Sequence, residues 1–280
     1  MFSAVAVAAG LAIAASCRWA WWRPKIQGLP VLMYHKIGDA PRSSPLKQLW
    51  VAAADFRRQL RHLKGLGYAP LSFSELRDAE LGKIPMPQKP VLITFDDGYA
   101  NNHELAFPIL KELNLKANIF LVCAGMGDAS GWDKKIEPAL PLMTWAQARE
   151  LQDSGLIEFG SHTLSHRRLS ALSLEDARGE LMESKKRLEQ TLGREIIAFA
   201  YPYGDGADRP ELRRLAREAG YRYDFSIEPG VSPWPWDPDS QALARLPILG
   251  QDTIIDFHLK LTRGRAKLKN PLNALKRRLA

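Results

Sequence analysis

The stretch Val91-Leu92-Ile93-Thr94-Phe95-Asp96-Asp97-Gly98-Tyr99 constrains the fold more than any other part of the chain. Five apolar or β-branched residues after Pro90 predict a strand buried on both faces. That strand runs straight into two carboxylates and a glycine. Neighbouring side chains on a strand point to opposite faces. Asp96 and Asp97 can therefore share a site only if the strand stops at Phe95 and Gly98 turns the backbone. Asp-Gly also marks ordinary solvated turns, so the pair alone decides nothing.

A second constellation adds weight. Leu156-Ile157-Glu158-Phe159-Gly160 reads as another short strand, followed at once by Ser161-His162-Thr163-Leu164-Ser165-His166. Histidines four apart lie on one face if the segment makes a helical turn, and two imidazoles on one face are half of a metal site.

These motifs carry a resemblance. Over roughly residues 29 to 250 the chain resembles the NodB-homology polysaccharide deacetylases, carbohydrate esterase family 4. Thr94 to Gly98 matches the family's first motif, Ser161 to His166 its second, and Tyr201-Pro202-Tyr203-Gly204 its third. Pro30-Val31-Leu32-Met33-Tyr34-His35 looks like the branch that includes the biofilm poly-N-acetylglucosamine deacetylases. The resemblance implies a distorted (β/α) barrel. It also implies a divalent metal held by Asp97, His162 and His166, with Asp96 as general base and the Tyr203 backbone N–H holding the oxyanion. Mixed oxygen and nitrogen ligands suit Zn2+, and also Co2+, Ni2+ or Mn2+.

Two departures from the family pattern stand out. The arginine that usually heads the third motif is Ala200 here, and Arg245 is a candidate to supply the cation from another strand end, or else an ordinary surface arginine. The usual Leu-x-His motif that provides the acid is missing. His35 takes that role in the branch resembled, with a neighbouring carboxylate such as Asp96 expected to raise its pKa. The late His258 lies in a helical-looking segment and is expected to pack or to be exposed.

The remaining pattern is α/β. Leu29 to Tyr34, Lys116 to Cys123, Ile196 to Ala200 and Tyr221 to Ile227 read as further strands. Helices are expected over 55–67, from the Ser72 capping box, over 101–113 with a kink or start at Pro108, from Thr144 to near Gly155, from Ser173 to Gly193, and over 208–219. Alternating strands and helices predict a parallel sheet, and about seven strands predict a closed barrel over 29–262. His35, Asp96, Asp97 and His162 then all follow the C-terminal ends of strands, where barrel active sites gather.

Residues outside the barrel point to a membrane. Met1 to Cys17 is almost wholly apolar and is followed by Trp19, Trp21 and Trp22, which suits an anchor over 1–22 rather than a cleaved signal segment. Arg18, Arg23 and Lys25 beyond the run argue for a cytoplasmic domain, whereas the biofilm enzymes act outside the cytoplasm, so the side stays open. Residues 263–280 read as a basic amphipathic tail with Leu268, Leu272, Leu275 and Leu279 at helical spacing. A formal charge of +8 comes with no nucleic-acid motif, so a membrane surface or a glycan is the expected partner. Two cysteines build no disulfide framework, and Cys123, within an apolar run, is expected to be buried and inert. Trp234 and Trp236, in a proline-rich loop, are either platforms for sugar faces or a loop that buries its own indoles.

The expected function is metal-dependent hydrolysis of the N-acetyl amide of an amino sugar in an envelope or lipid-linked glycan. The alternatives are an O-acetyl esterase on the same scaffold and a catalytically weak glycan-binding module.

Overall fold

Why the chain can bring His35, Asp96 and His162 to one rim follows from its strand order. The structure, a computed structural model, describes residues 7, 16, 18, 19, 21–133 and 136–266. In chain order the strands are β1 (Val31–Tyr34), β2 (Lys36–Ile37), β3 (Trp50–Val51), β4 (Ala69–Pro70), β5 (Pro90–Phe95), β6 (Ala117–Leu121), β7 (Ile157–Ser161), β8 (Ala198–Ala200), β9 (Tyr223–Pro229) and β10 (Leu243–Pro247). Seven of them, β1 and β5 to β10, form a parallel ring. It closes at β1, where Leu32 lies opposite Leu246 of β10 on one side and Ile93 of β5 on the other. β4 extends β5 at its start, and β2 pairs with β3 beside the rim.

The outer layer is α1 (Ala53–Gly65), α2 (Phe73–Glu80), α3 (Phe107–Leu113), α4 (Trp145–Asp153), α5 (Leu174–Leu192), α6 (Pro210–Glu218) and α7 (Ile254–Arg263). Capping boxes at Ser72–Glu75 and Thr144–Gln147 start α2 and α4, and left-handed Gly193 ends α5. On α5 the stripe Ala177, Leu181, Leu188 and Leu192 is buried, whereas Leu174 at its first position is half exposed. The single helix expected over 101–113 is instead a π-helical turn, Asn102–Ala106, leading into α3. Pro108 lacks an amide N–H and crowds the preceding turn, and the wider π turn accommodates it.

The connection from β9 to β10 has no helix. It passes Leu29, which bridges Ser232, and its Trp236 is buried against Tyr223, the first residue of β9. The Trp236 indole N–H donates to the Gln241 carbonyl at 2.8 Å, and Trp234 packs on the same apolar cluster. These indoles close the foot of the barrel, opposite the rim with the carboxylates. Trp236 therefore fits the second of the two sequence readings, a loop that buries its own indole, because a connection without a helix needs its own apolar side chains to cover the barrel.

The apolar run before Cys17 and the tail beyond residue 266 lie almost wholly outside the described residues, and no described helix is long and apolar enough to cross a membrane. Residues just after the run line α7: the Trp19 indole donates to Asp256 at 3.0 Å and the Ile26 amide to the Thr262 carbonyl at 3.0 Å. Cys123 is buried, and burial pushes its thiol up to about 12.

Candidate metal and catalytic centre

Asp96 and Asp97 reach one site by the turn their position demands. Asp97 and Gly98 both adopt left-handed backbone, with φ of 75° each. A Cβ at Gly98 would lie 2.7 Å from a Leu121 methyl, so glycine is required there for space as well as for conformation. The Asp96 amide still donates to the Tyr34 carbonyl of β1, at 3.0 Å, so the carboxylates leave the sheet at the level where His35 follows β1.

His162 and His166 do converge, but not through a helical turn. Thr163 and His166 have φ of 67° and 60°, and the His166 amide donates to Thr163 Oγ1 at 2.9 Å. This irregular loop brings the Nε2 atoms of His162 and His166 to 3.4 and 3.2 Å from Asp97 Oδ1. One ligand atom from each of the three residues lies within 4.8 Å of the others, and all three side chains are buried. His162 Nδ1 faces the Ala200 carbonyl at 2.7 Å, which fixes the Nδ1 proton and leaves Nε2 as the nitrogen directed at Asp97, available to an ion once it gives up its own proton. A carboxylate oxygen and two imidazole nitrogens, with open directions beyond them, fit a divalent ion.

Asp96 faces a different partner. Arg245, wholly buried in the middle of β10, donates from its two terminal nitrogens to the two Asp96 oxygens at 2.6 and 2.8 Å. Its Nε donates to the Ser226 carbonyl at 2.7 Å, and its guanidinium lies 5.6 Å from the Phe120 ring centre. Arg245 is thus a cation of the barrel interior, not of the surface. Burial alone would push Asp96 up, but the charges of Arg245 and then His162 outweigh it and hold the carboxyl below its usual range. Burial likewise acts against the charge on Asp97, and the hydrogen bonds from His162 and His166 hold it well below that range.

His35 Nε2 lies 3.8 Å from Asp96 Oδ2. The expected rise in its pKa does not occur. Burial lowers it, Arg245 and His162 lower it further, and together they exceed the pull of Asp96 and Asp97. A nearby carboxylate whose charge is already shared with an arginine raises an imidazole less than a free one would. His258 is elsewhere, its Nδ1 3.0 Å from His62 Nε2 on the outer helices.

Tyr203 completes one wall. Its ring meets His166 edge-on at 4.6 Å and carries the Arg168 guanidinium 4.2 Å from its centre. On the other side Trp132 stacks on His166 at 4.5 Å with the planes 28° apart. Trp132 belongs to a loop that the sequence leaves featureless, and a buried ion pair behind it was equally invisible. Glu137 accepts from Lys36 on one oxygen and from Ser44 and Trp50 on the other. Lys36 follows His35 directly, which is the only hint the sequence offers.

The comparisons agree with this geometry. The profile of the family described as polysaccharide deacetylase matches residues 83–223. YxkH of Bacillus subtilis (strain 168) is 29% identical over 204 residues, covering 73% of this chain and 66% of that protein. The poly-beta-1,6-N-acetyl-D-glucosamine N-deacetylase of Escherichia coli (strain K12) is 29% identical over 236 residues, covering 80% of this chain. The chain spans only 33% of the length of that protein. The crystal structure of BC0361, a polysaccharide deacetylase from Bacillus cereus, superposes with a TM-score of 0.71 at 29% identity, covering 84% of this chain and 69% of that one.

Proposed function

Because the chain belongs to the polysaccharide deacetylase family, we propose that it is a metal-dependent hydrolase that removes acetyl groups from the nitrogen of N-acetylglucosamine-type sugars in a glycan. The observation that carries this is the Asp97, His162 and His166 cluster beside an Asp96 kept ionised by Arg245. An amide has a poor electrophile and a poor leaving group, so its hydrolysis needs activated water, a site for the oxyanion and a proton for the amine.

Asp97, His162 and His166 would hold the ion. When bound, a divalent ion lowers the pKa of water and polarises the acetyl carbonyl. Asp96 is the acceptor for the proton of the attacking water. Arg245 occupies one lone pair on each Asp96 oxygen and leaves the others free, so the base is ionised and also aimed. His35 is neutral at rest in this setting and becomes an acid only after gaining a proton. Asp96 Oδ2, 3.8 Å away, is the source that lies at hand, and the amine is the destination. The Tyr203 amide is assigned to the oxyanion.

Arg245 also bears on the binding-module reading. That reading draws its support from Ala200 in place of the family arginine, and a guanidinium on Asp96 from β10 removes that support. The same proposal has the enzyme held at a membrane by the apolar run of residues 1–17, where an envelope or lipid-linked glycan is within reach.

The test is acetate release from N-acetylglucosamine oligomers by the full chain, before and after chelation and after adding back Zn2+, Co2+, Ni2+ or Mn2+. Release that chelation stops and metal restores is expected. Cleavage of O-acetyl sugars with no release from the N-acetyl oligomers would move the assignment to an esterase.

A further inference from the structure

The two histidines of the cluster are supported differently. His162 Nδ1 faces the Ala200 carbonyl, whereas His166 Nδ1 is buried with no partner among the described residues. An imidazole that offers Nε2 to an ion carries its proton on Nδ1, and ligating histidines almost always give that proton to a carboxylate or a carbonyl. A second buried donor lies against the same ring: the indole N–H of Trp132, stacked on His166, also has no partner among the described residues. Two orphaned donors at one ring call for an acceptor.

The next residue in the chain carries a carboxylate. Asp133 follows Trp132, and it is half-buried. Its carboxylate is coupled electrostatically to His166, Asp97 and Lys36 and to the phenols of Tyr99 and Tyr203. Burial first, and then the Asp97 charge, push its carboxyl up. The backbone at Asp133 is held, since its carbonyl accepts from the Ile136 and Glu137 amides at 2.8 and 2.9 Å. Glu137 is in turn tied to Lys36, Ser44 and Trp50.

We propose that Asp133 is a positioning residue of the metal centre, accepting the Nδ1 proton of His166 when Nε2 serves as ligand. This rests on the metal-dependent reading above. Asp133 is not itself among the three clustered ligands. Its carboxylate fixes the tautomer of His166, sets the rotation of the ring and makes Nε2 a stronger donor.

Zinc affinity of the full chain, measured by equilibrium dialysis, tests it without any turnover. Asp133→Ala is expected to weaken Zn2+ binding by about 10- to 100-fold. Asp133→Asn, which keeps a neutral acceptor, is expected to fall between Asp133→Ala and the unaltered protein. Both should unfold at the temperature of the unaltered apoprotein. Unchanged zinc affinity in Asp133→Ala overturns the proposal. A loss of affinity matched by a lower unfolding temperature overturns it too, because the turn itself would then have failed. If the unaltered protein binds no zinc, that arm alone shows the metal-dependent reading to be wrong, and the role of Asp133 falls with it.

Discussion

Arg245 grips both oxygens of Asp96 across 149 residues of sequence, from the middle of β10 to the end of β5. A buried bidentate pair of this kind is weak evidence for stability, since desolvation offsets most of the attraction. Its consequence here is chemical, because it keeps a buried carboxylate charged. Arg245→Met should raise the Asp96 pKa, so the acid limb of the kcat/KM profile for oligomer deacetylation moves to higher pH. It also leaves a buried charge without its partner and should lower stability by about 3–5 kcal/mol, read by denaturant unfolding. Arg245→Lys cannot form the fork and should recover only part of either property. An acid limb that stays in place in Arg245→Met would show that another group sets the state of the base.

Asp96 and Asp97 are adjacent but have separate partners, Arg245 for one and the two histidines for the other. Asp96→Asn should therefore bind metal like the unaltered protein and lose about 10²–10⁴ in kcat, the range for removal of a general base. Asp97→Ala should lose both metal and activity. Metal content by atomic absorption alongside acetate release separates the two, and an equal fall in metal content would refute the division of roles.

How much of this was legible in the sequence depends on which residues are asked about. The barrel is readable because strands such as Val91 to Phe95 are unbroken apolar runs that end in a turn and a polar residue. β10 is only half visible, read as a strand ending at Arg245, since Leu243-Ala244-Arg245-Leu246-Pro247 has a charge at its centre and a proline at its end. Arg245 is found only through the gap at Ala200. The spacing of His162 and His166 suggests a helical turn, yet the two rings meet because Thr163 and His166 take positive φ, which no spacing discloses. Trp132, Asp133 and Glu137 lie in an aperiodic loop, where no pattern marks which side chains turn inward. Trp236 is open in the sequence, since a proline-rich aromatic loop can be an exposed platform or a closure, and burial makes it the barrel's own closure.

His35 carries a prediction of selectivity. It lies against Asp96 and is held neutral by burial and by the Arg245 and His162 charges. Its proposed task is to protonate a leaving amine, and an activated aryl acetate has a leaving group that needs no proton. His35→Ala should thus lose at least about 10² in amide cleavage and much less with the aryl ester, while zinc affinity stays unchanged. His258→Ala, which only breaks the contact with His62, should act like the unaltered enzyme. Equal losses on amide and ester in His35→Ala would assign the residue to substrate placement instead of proton donation.

The last prediction concerns Lys36 and Glu137, which are both buried and support the Trp132 loop behind His35. Lys36 donates to Glu137 Oε2 and also lies 4.9 Å from the Tyr99 ring centre, while Ser44 and Trp50 donate to Oε1. Removing one charge strands the other in a medium of low polarity. Lys36→Met and Glu137→Gln should each cost about 3–5 kcal/mol. The double variant is different. The glutamine side chain keeps an amide oxygen for Ser44 and Trp50, and the methionine fills the lysine channel with an apolar chain of similar length. Neither charge then remains to be stranded, so the double variant should be more stable than either single one, which requires a coupling free energy of at least about 3 kcal/mol in the double-mutant cycle. Chemical denaturation of the four proteins measures it. Additive losses would show that Lys36 and Glu137 are held by their separate neighbours and do not act as a pair.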